Sequence, residues 1–171
     1  KIMPKEFEIW MRLLHKVEKS VLWLYKSNEW SAFNLCKEAE KNHINPKRLI
    51  FAKKSSLDIH LARHRFGDLA LDTFNINGHT TTSDALWAGL PLITKIGKSF
   101  AARVSASLLS NVGLNELITS TDQEYEELAY FLATQSKELL KVKAKLVDSI
   151  GLTPLFNSTQ YVRDLENIFQ E

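Results

Sequence analysis

The sequence has a single cysteine, Cys36, among its 171 residues. One cysteine cannot form a disulfide within the chain, so a reducing compartment is expected, and the cytoplasm is the predicted location. The sequence also lacks the run of about 18 apolar residues that a membrane-spanning helix needs, which argues against a membrane partner. It lacks a signal-peptide pattern and an initial methionine, so we expect it to be a piece of a longer polypeptide.

An excess of one charge is also missing. The chain has 22 basic and 20 acidic side chains, which gives a net charge of +2. Such a balance provides no strong field for nucleic acid, and no nucleic-acid partner is predicted. Hydrophobic residues make up 44% and charged residues 25%, a globular composition. With no internal repeat and no low-complexity linker, residues 1–171 are predicted to form one domain.

Short apolar runs alternate with helical patterns along most of the chain. This alternation predicts an α/β fold with an open parallel sheet and helices on both faces, closed by two C-terminal helices. The closing helices are predicted over residues 121–148, where Thr121 and Glu124 have capping-box spacing, and over 157–170. The other predicted helices cover 4–19, 28–43, 55–66, 80–88 and 99–111, and the predicted strands cover 20–25, 48–52, 69–73, 90–94 and 116–119.

A cluster of small polar residues, NGHTTTSD (77–84), follows the third predicted strand. In open parallel sheets, ligands bind beyond the carboxyl ends of the strands, and a helix that begins there offers unpaired amides to a phosphate. Gly78 would let a ligand approach the backbone, and Thr80, Thr81 and Thr82 would add hydroxyl donors. Asp84, one turn further on, could accept hydrogen bonds from sugar hydroxyls. Helix capping alone also explains the pattern, because Thr81 and Asp84 have capping spacing.

Other motifs predict less. Gly97-Lys98-Ser99 resembles the end of a phosphate-binding loop, but the glycine required five residues earlier is Leu92. His60 and His64 have metal-ligand spacing on a helix without a third ligand, so no metal site is predicted. No serine, histidine and aspartate arrangement has a recognisable catalytic pattern, and the carboxylates of Glu124, Glu126 and Glu127 are expected on an exposed helix face. The catalytic residues therefore stay unknown.

One long segment resembles a known family. LDTFNINGHTTTSDALWAGLPLIT (71–94) is very similar to the C-terminal catalytic lobe of O-linked N-acetylglucosamine transferases and the related SPINDLY proteins, glycosyltransferase family 41. The likeness continues through ARVSASLL, QEYEELA and PLFNSTQYVRDLE and covers almost the whole chain. The resemblance implies the second, Rossmann-like lobe of a GT-B glycosyltransferase, with the N-terminal lobe and any helical-repeat segment upstream.

The resemblance also implies a set of nucleotide-sugar-binding residues. One departure is Leu57, which stands where the family has a lysine that helps to hold the nucleotide, so the base and sugar stay open. The implied contacts are Lys1, His79, Thr80 and Thr81 to the diphosphate, Asp84 to the ribose, and His60 and Arg63 to the base.

The activity implied by the resemblance is inverting transfer of N-acetylglucosamine from UDP-GlcNAc to a serine or threonine of an acceptor protein, without a metal or other cofactor. Fucosyl transfer from a guanosine diphosphate donor, glucosyl transfer, and nucleotide-sugar binding without transfer stay open as alternatives. A flavodoxin-like interaction domain, with the threonines as caps only, is the remaining alternative. The isolated lobe is expected to be inactive.

Overall fold

The structure is a computed structural model that describes residues 2–170. Helices and parallel strands alternate as the sequence predicts, and most bounds agree within a few residues. The helices are α1 (Pro4–Lys16), α2 (Glu29–Lys41), α3 (Leu57–Arg63), α4 (Thr80–Trp87), α5 (Val104–Asn111), α6 (Asp122–Thr134), α7 (Ser136–Ile150) and α8 (Ser158–Ile168). The strands are β1 (Leu22–Tyr25), β2 (Leu49–Ala52), β3 (Ala70–Leu71), β4 (Leu92–Lys95) and β5 (Ile118–Thr119).

The five strands pair in two groups. β1 pairs with β2, and β3, β4 and β5 pair in that order, with every pairing parallel. The α/β class and the parallel direction are confirmed. The expected single sheet is seen as two hydrogen-bonded groups, and no strand within residues 2–170 joins β1 to β3.

Strand β4 lies at the centre of the second group. Leu92 and Ile93 are both buried, and consecutive side chains of a strand point to opposite faces, so this strand is covered on both faces. Helices α4, α5 and α6 contact it. The two strand groups contribute to one hydrophobic core, in which Leu24 of β1 joins Leu92 of β4.

Helix α1 packs against α6 through a buried polar chain. Trp10 Nε1 donates to Tyr125 Oη at 3.2 Å, and Tyr125 Oη donates to the carbonyl oxygen of Asp72 at 3.0 Å. A second link is ionic, because Arg12 and Lys16 of α1 both reach the carboxylate of Glu126. The Glu126 side chain is only 12% exposed, so its expected place on an exposed helix face is wrong. The reason is that α1 covers this part of α6.

The prediction of a single helix over 121–148 is also wrong, since the structure has two helices there. α6 ends at Thr134, and Gln135 has φ −106° and ψ 76°, outside the helical region. The break lets α7 fold back against α6, with which it is in contact. Three helices, rather than two, therefore close the chain. Thr121 and Glu124 do form the predicted capping box.

None of the helices within residues 2–170 combines the length and the apolar character required to cross a bilayer.

Candidate functional site

The candidate site lies at the carboxyl end of β3, where residues 72–79 lead into α4. Asp72 anchors this loop from within the core. Its Oδ1 accepts hydrogen bonds from the amides of Gly78 (2.8 Å) and Thr73 (2.9 Å), and its Oδ2 accepts one from Thr94 Oγ1 (2.7 Å). Burial raises the pKa of Asp72, while the hydrogen bonds it accepts oppose that shift. This carboxylate is buried and holds both ends of the loop in place.

Gly78 is required by close packing in front of α4. A Cβ at this position would lie 2.8 Å from Thr81 Oγ1 and closer still to Thr82 Oγ1. The Gly78 carbonyl accepts a hydrogen bond from Ser105 Oγ at 3.0 Å. The Gly78 amide already donates to Asp72, so it is not available to a ligand. Gly78 contributes to the site by its small size and its fixed backbone.

The three threonines have different environments. Thr82 is buried and its hydroxyl is hydrogen-bonded to Ser105 Oγ at 2.9 Å. Its expected role as a donor to a ligand is therefore wrong, because it points into the core. His79, Thr80 and Thr81 are exposed. His79 is the N-cap residue of α4 and makes no side-chain capping bond.

The start of α4 is consequently open. The first backbone hydrogen bond at this end joins the Ser83 amide to the His79 carbonyl at 3.0 Å. The amides of residues 80–82 precede it and receive no side-chain cap. The structure therefore does not support capping as the explanation of the threonine run. An uncapped helix start with exposed hydroxyls is suited to an anion.

Helix α3 brings a second set of side chains to the same place. His60 Nε2 lies 3.4 Å from Asp84 Oδ2 of α4, so these two residues, far apart in sequence, meet as expected for one site. Arg63 is adjacent, with Nη2 2.7 Å from His60 Nδ1 and Nη1 2.9 Å from the Lys53 carbonyl oxygen. The Arg63 guanidinium therefore already has two hydrogen-bond partners within the protein.

These contacts define the state of the His60 ring. A guanidinium can only donate, so His60 Nδ1 accepts, and in the neutral ring the proton is on Nε2, facing Asp84. Burial lowers the pKa of His60, the charges of His64 and Arg63 lower it further, and Asp84 opposes them. His60 is therefore held as a neutral ring with a defined tautomer.

The other predicted positions are less informative. Lys1 lies outside the described residues. Leu57, at the start of α3, is 65% exposed. His64 packs edge-on against His60, with ring centroids 4.7 Å apart, and donates from Nδ1 to the His60 carbonyl. Among the described residues no group of three or more His, Cys, Asp or Glu side chains could hold a metal ion.

The sequence reasoning missed several residues of the site. Asp72 and Ser105 are buried and orient the loop, and only the placement of Asp72 directly after an apolar run could have indicated it. The loop after β4 was missed as well: the Asn77 amide donates to the Ala101 carbonyl at 2.8 Å. Phe100 of that loop is 81% exposed, with its ring centroid 6.0 Å from that of His79. A helix with Ser99 was predicted there, and nothing in its pattern indicated a cleft position.

Fold and site together define an α/β lobe whose polar candidate site lies at the carboxyl end of a parallel strand, where α4 begins. The model of glycosyl transferase family 41 matches residues 1–165. The chain belongs to this family.

Curated relatives are similar in sequence to this chain over nearly its whole length. It is 34% identical to a UDP-N-acetylglucosamine–peptide N-acetylglucosaminyltransferase of Caenorhabditis elegans, over 98% of this chain and 15% of the relative. Identity is 33% to the probable transferase SEC of Arabidopsis thaliana, over 99% of this chain and 17% of the relative. It is 30% to the probable transferase SPINDLY of Petunia hybrida, over 99% and 19%.

A solved structure has the same fold. The O-GlcNAc transferase of Thermobaculum terrenum, in a mutant form, superimposes with a TM-score of 0.87 at 26% identity. The match covers 96% of this chain and 33% of that protein. The chain thus spans less than a fifth of the length of the curated relatives named above.

Proposed function

We propose that this chain is the nucleotide-sugar-binding lobe of a protein O-glycosyltransferase that transfers N-acetylglucosamine from UDP-GlcNAc to serine or threonine hydroxyls. The observation that carries the proposal is the juxtaposition of the open start of α4 with the His60–Asp84 pair of α3 and α4. Relatives named for UDP-GlcNAc–peptide transfer support the donor and the acceptor class.

In this proposal the diphosphate lies at the start of α4. The amides of residues 80–82 and the hydroxyls of Thr80 and Thr81 are the donors, and His79 is beside them. During transfer the bond from the sugar C1 to the diphosphate oxygen breaks, and a bond from C1 to the acceptor oxygen forms. Negative charge then grows on the leaving diphosphate, and donors already fixed toward it stabilise that charge without rearranging. No metal is needed for this stabilisation, and Lys1 would add a positive charge.

The nucleoside lies along α3. Asp84 accepts hydrogen bonds from the ribose hydroxyls, and the ring of His60 supports the base. Arg63 acts through His60, since its guanidinium holds His60 Nδ1 and the Lys53 carbonyl. We expect Arg63 to position the ring, and its contact with the base would need one of these bonds to open.

The acceptor hydroxyl must lose its proton, and its base must lie within about 3 Å of it in the reacting complex. His79, the N-cap residue of α4, is a titratable group beside the proposed diphosphate donors, and the proposal uses it on the donor side. We therefore assign the base and the acceptor surface to an N-terminal lobe of the same polypeptide. A cytoplasmic location is part of this proposal, supported by the single unpaired cysteine.

Titration with UDP and GDP tests the site. Thr81→Ala should weaken binding of the preferred nucleotide about tenfold to a hundredfold, because a hydrogen bond to a charged group contributes about 1.5–3 kcal/mol. The melting temperature should stay close to that of the wild type, since the Thr81 hydroxyl makes no hydrogen bond within the described residues.

Thr159→Ala is the matched control. Thr159 is also the second residue of a helix, α8, and is also exposed. It should leave affinity unchanged. If Thr81→Ala and the wild type bind the nucleotide with equal affinity, the start of α4 is not part of the site. Tight binding without transfer by the longer polypeptide would instead favour a non-catalytic binding lobe, and preference for GDP would favour the fucosyl alternative.

A further inference from the structure

The loop from Asp72 to His79 contains a buried aromatic side chain, Phe74, which is 5% exposed. Its ring meets the ring of Tyr125 in α6 edge-on, with the centroids 5.0 Å apart and the planes at 89°. The same tyrosine donates its hydroxyl proton to the carbonyl oxygen of Asp72. Helix α6 therefore contacts the loop at two points, and the position of the Phe74 ring fixes the path of the chain as it leaves β3.

A cation covers the face of the Phe74 ring. Lys95, the last residue of β4, has its Nζ 3.9 Å from the ring centroid. An ammonium is attracted to the negative face of an aromatic ring, and the attraction is stronger when both groups are shielded from water. The Lys95 side chain is only 18% exposed, so this contact is largely shielded.

A largely buried lysine requires a counter-charge, and Asp122 supplies it. Asp122 is the first residue of α6, where the helix dipole favours a carboxylate. One of its oxygens lies 2.5 Å from Lys95 Nζ and the other 2.5 Å from Lys5 Nζ of α1. Burial raises the pKa of Asp122, but hydrogen bonds from Lys5 and Lys95 outweigh burial and leave the pKa below the ordinary 3.8. The carboxylate is therefore charged at neutral pH and is shared by two cations.

The two lysines that share Asp122 have different environments. The Lys5 side chain is 66% exposed, and an exposed ion pair contributes little because water screens it. Lys95 is much less exposed, and it both pairs with Asp122 and covers the Phe74 ring. One side chain of β4 therefore joins the start of α6 to the middle of the site loop.

The loop is cross-linked internally, so a change at Phe74 should reach the start of α4. Thr73 Oγ1 donates to the Ile76 carbonyl oxygen at 2.6 Å, and Asn77 Nδ2 donates to the Thr73 carbonyl oxygen at 2.8 Å. These two bonds close a turn around Phe74. We expect residues 73–77 to shift together with the ring, and the next residues along the chain are Gly78 and His79.

We propose that Lys95 is a positioning residue of the candidate site, which fixes the loop 72–79 through the ring of Phe74. Asp72 holds both ends of this loop, and Lys95 holds its middle. The loop in turn sets where α4 begins, and with it the direction of the amides of residues 80–82. The ligand of this inference rests on the proposed function, whereas the contact of Lys95 with the loop does not.

Lys95→Met tests the proposal, because it removes the ammonium and keeps an unbranched apolar side chain. The first measurement is amide hydrogen exchange without nucleotide. The Asn77 and Gly78 amides, which donate to Ala101 and Asp72, should exchange at least about threefold faster. Rates are taken relative to the Asp72 amide, which is bonded to β4 and reports on the sheet. The second measurement is titration with UDP and GDP. Affinity for the preferred nucleotide should fall by about threefold to thirtyfold, the range expected for the loss of one cation–π contact.

Two further variants are the controls. Lys5→Met removes an exposed ion pair with the same carboxylate and leaves the ammonium of Lys95 over the ring. Both measurements on Lys5→Met should stay within about twofold of the wild type. Lys95→Arg keeps a cation for the ring and for Asp122, so it should restore both measurements to within about twofold of the wild type.

Unchanged exchange at Asn77 and Gly78 in Lys95→Met would overturn the proposal, whether or not the wild type binds nucleotide. Faster exchange with unchanged affinity would overturn the positioning role. Equal effects of Lys95→Met and Lys5→Met, or no restoration by Lys95→Arg, would also overturn it, because charge or packing alone would then explain the result. Absence of UDP and GDP binding by the wild type would overturn the proposed function, while the exchange rates would still decide whether Lys95 holds the loop.

Discussion

The His60 ring has three polar neighbours, and they define its chemistry at the scale of a single residue. Burial, His64 and Arg63 lower its pKa from the ordinary 6.5, in that order of importance. A histidine whose folded pKa is lowered binds fewer protons in the native state than in the unfolded state. Its contribution to stability is therefore present above 6.5 and is lost as the pH falls below that value. In the proposed nucleotide complex, a neutral ring is suited to stacking on the base.

The first prediction concerns Arg63→Met. Removing the guanidinium should raise the pKa of His60, though not fully to 6.5, because burial is the larger cause. It should also remove the donor to Nδ1, so the population of the Nε2–H tautomer should fall, although Asp84 still faces Nε2. Two-bond proton–nitrogen spectra of the histidines measure both quantities.

Arg65→Met is the matched control for that experiment. Arg65 is exposed, two residues away, and lies over the ring of Phe66. Its loss should leave the tautomer of His60 unchanged. If Arg63→Met also leaves it unchanged while UDP affinity falls, Arg63 contacts the ligand directly and does not act through the ring.

Asp72 holds the loop that precedes α4 by accepting hydrogen bonds from its backbone. Asp72→Ala should leave the Gly78 amide and the Thr94 hydroxyl without their acceptor. The cost is about 1–3 kcal/mol for each buried group left unpaired, so the free energy of unfolding should fall by about 2 kcal/mol or more. Affinity for UDP should fall with it, because residues 78–81 lose their anchor. Urea titration and calorimetric binding provide the two measurements.

Asp72→Asn separates shape from charge in the same loop. Asparagine keeps an oxygen for the amides of Gly78 and Thr73, so it should stay much closer to the wild type than alanine does. Burial raises the pKa of Asp72 from 3.8, so the native wild type binds more protons than the unfolded chain above that value. The stability of the wild type should consequently decline relative to Asp72→Asn as the pH rises from about 3.8. The opposite slope would mean that the hydrogen bonds outweigh burial.

Ion pairs of Glu126 link helices α1 and α6, so a substitution at Glu126 should change the stability of the protein. Burial raises the pKa of Glu126, but hydrogen bonds from Arg12 and Lys16 outweigh it and leave the pKa below the ordinary 4.5. The stabilisation is present above 4.5 and lost as the pH falls through the lower folded value. Glu126→Gln should cost about 1 kcal/mol near pH 7, since both cations are half exposed and screened by solvent.

Glu127→Gln is the matched control, because Glu127 is the exposed neighbour and forms no ion pair within the described residues. It should cost little at any pH. The difference between the two variants should disappear in acid, when Glu126 is protonated. A difference that persists at low pH would indicate a packing effect instead of an ionic one.

Helices and strands with strong local sequence patterns could be predicted well. Features that depend on tertiary contacts, such as helix ends and the exposure of single side chains, could be predicted less well. Buried strands and the Thr121–Glu124 cap have short-range signals, and both agree with the structure. The break at Gln135 has no glycine or proline to mark it, and what distinguishes it is the tertiary contact of α7 with α6. The exposure of Thr80 and Thr81 could not be distinguished from the burial of Thr82 by sequence, since it depends on Ser105, 23 residues later.

At the scale of the whole molecule, the candidate site at the start of α4 is exposed to solvent. His79, Thr80 and Thr81 are exposed, and Phe100 is the most exposed aromatic ring beside them. A donor bound there would be accessible to water. The positioning of the acceptor, which contributes much of the rate of such a reaction, would have to come from another lobe.

The last prediction follows from this openness: residues 1–171 alone should bind nucleotide but not transfer sugar. The purified chain is incubated with radiolabelled UDP-N-acetylglucosamine and a serine- and threonine-rich acceptor, alone and with the upstream lobe added in trans. Label should enter the acceptor only when the upstream lobe is present, because that lobe supplies the proton acceptor within reach of the hydroxyl. Thr81→Ala should reduce the reconstituted rate, whereas Thr159→Ala should not. Label incorporated by residues 1–171 alone would contradict the division of roles between the lobes and would make His79 the first residue to test as the base.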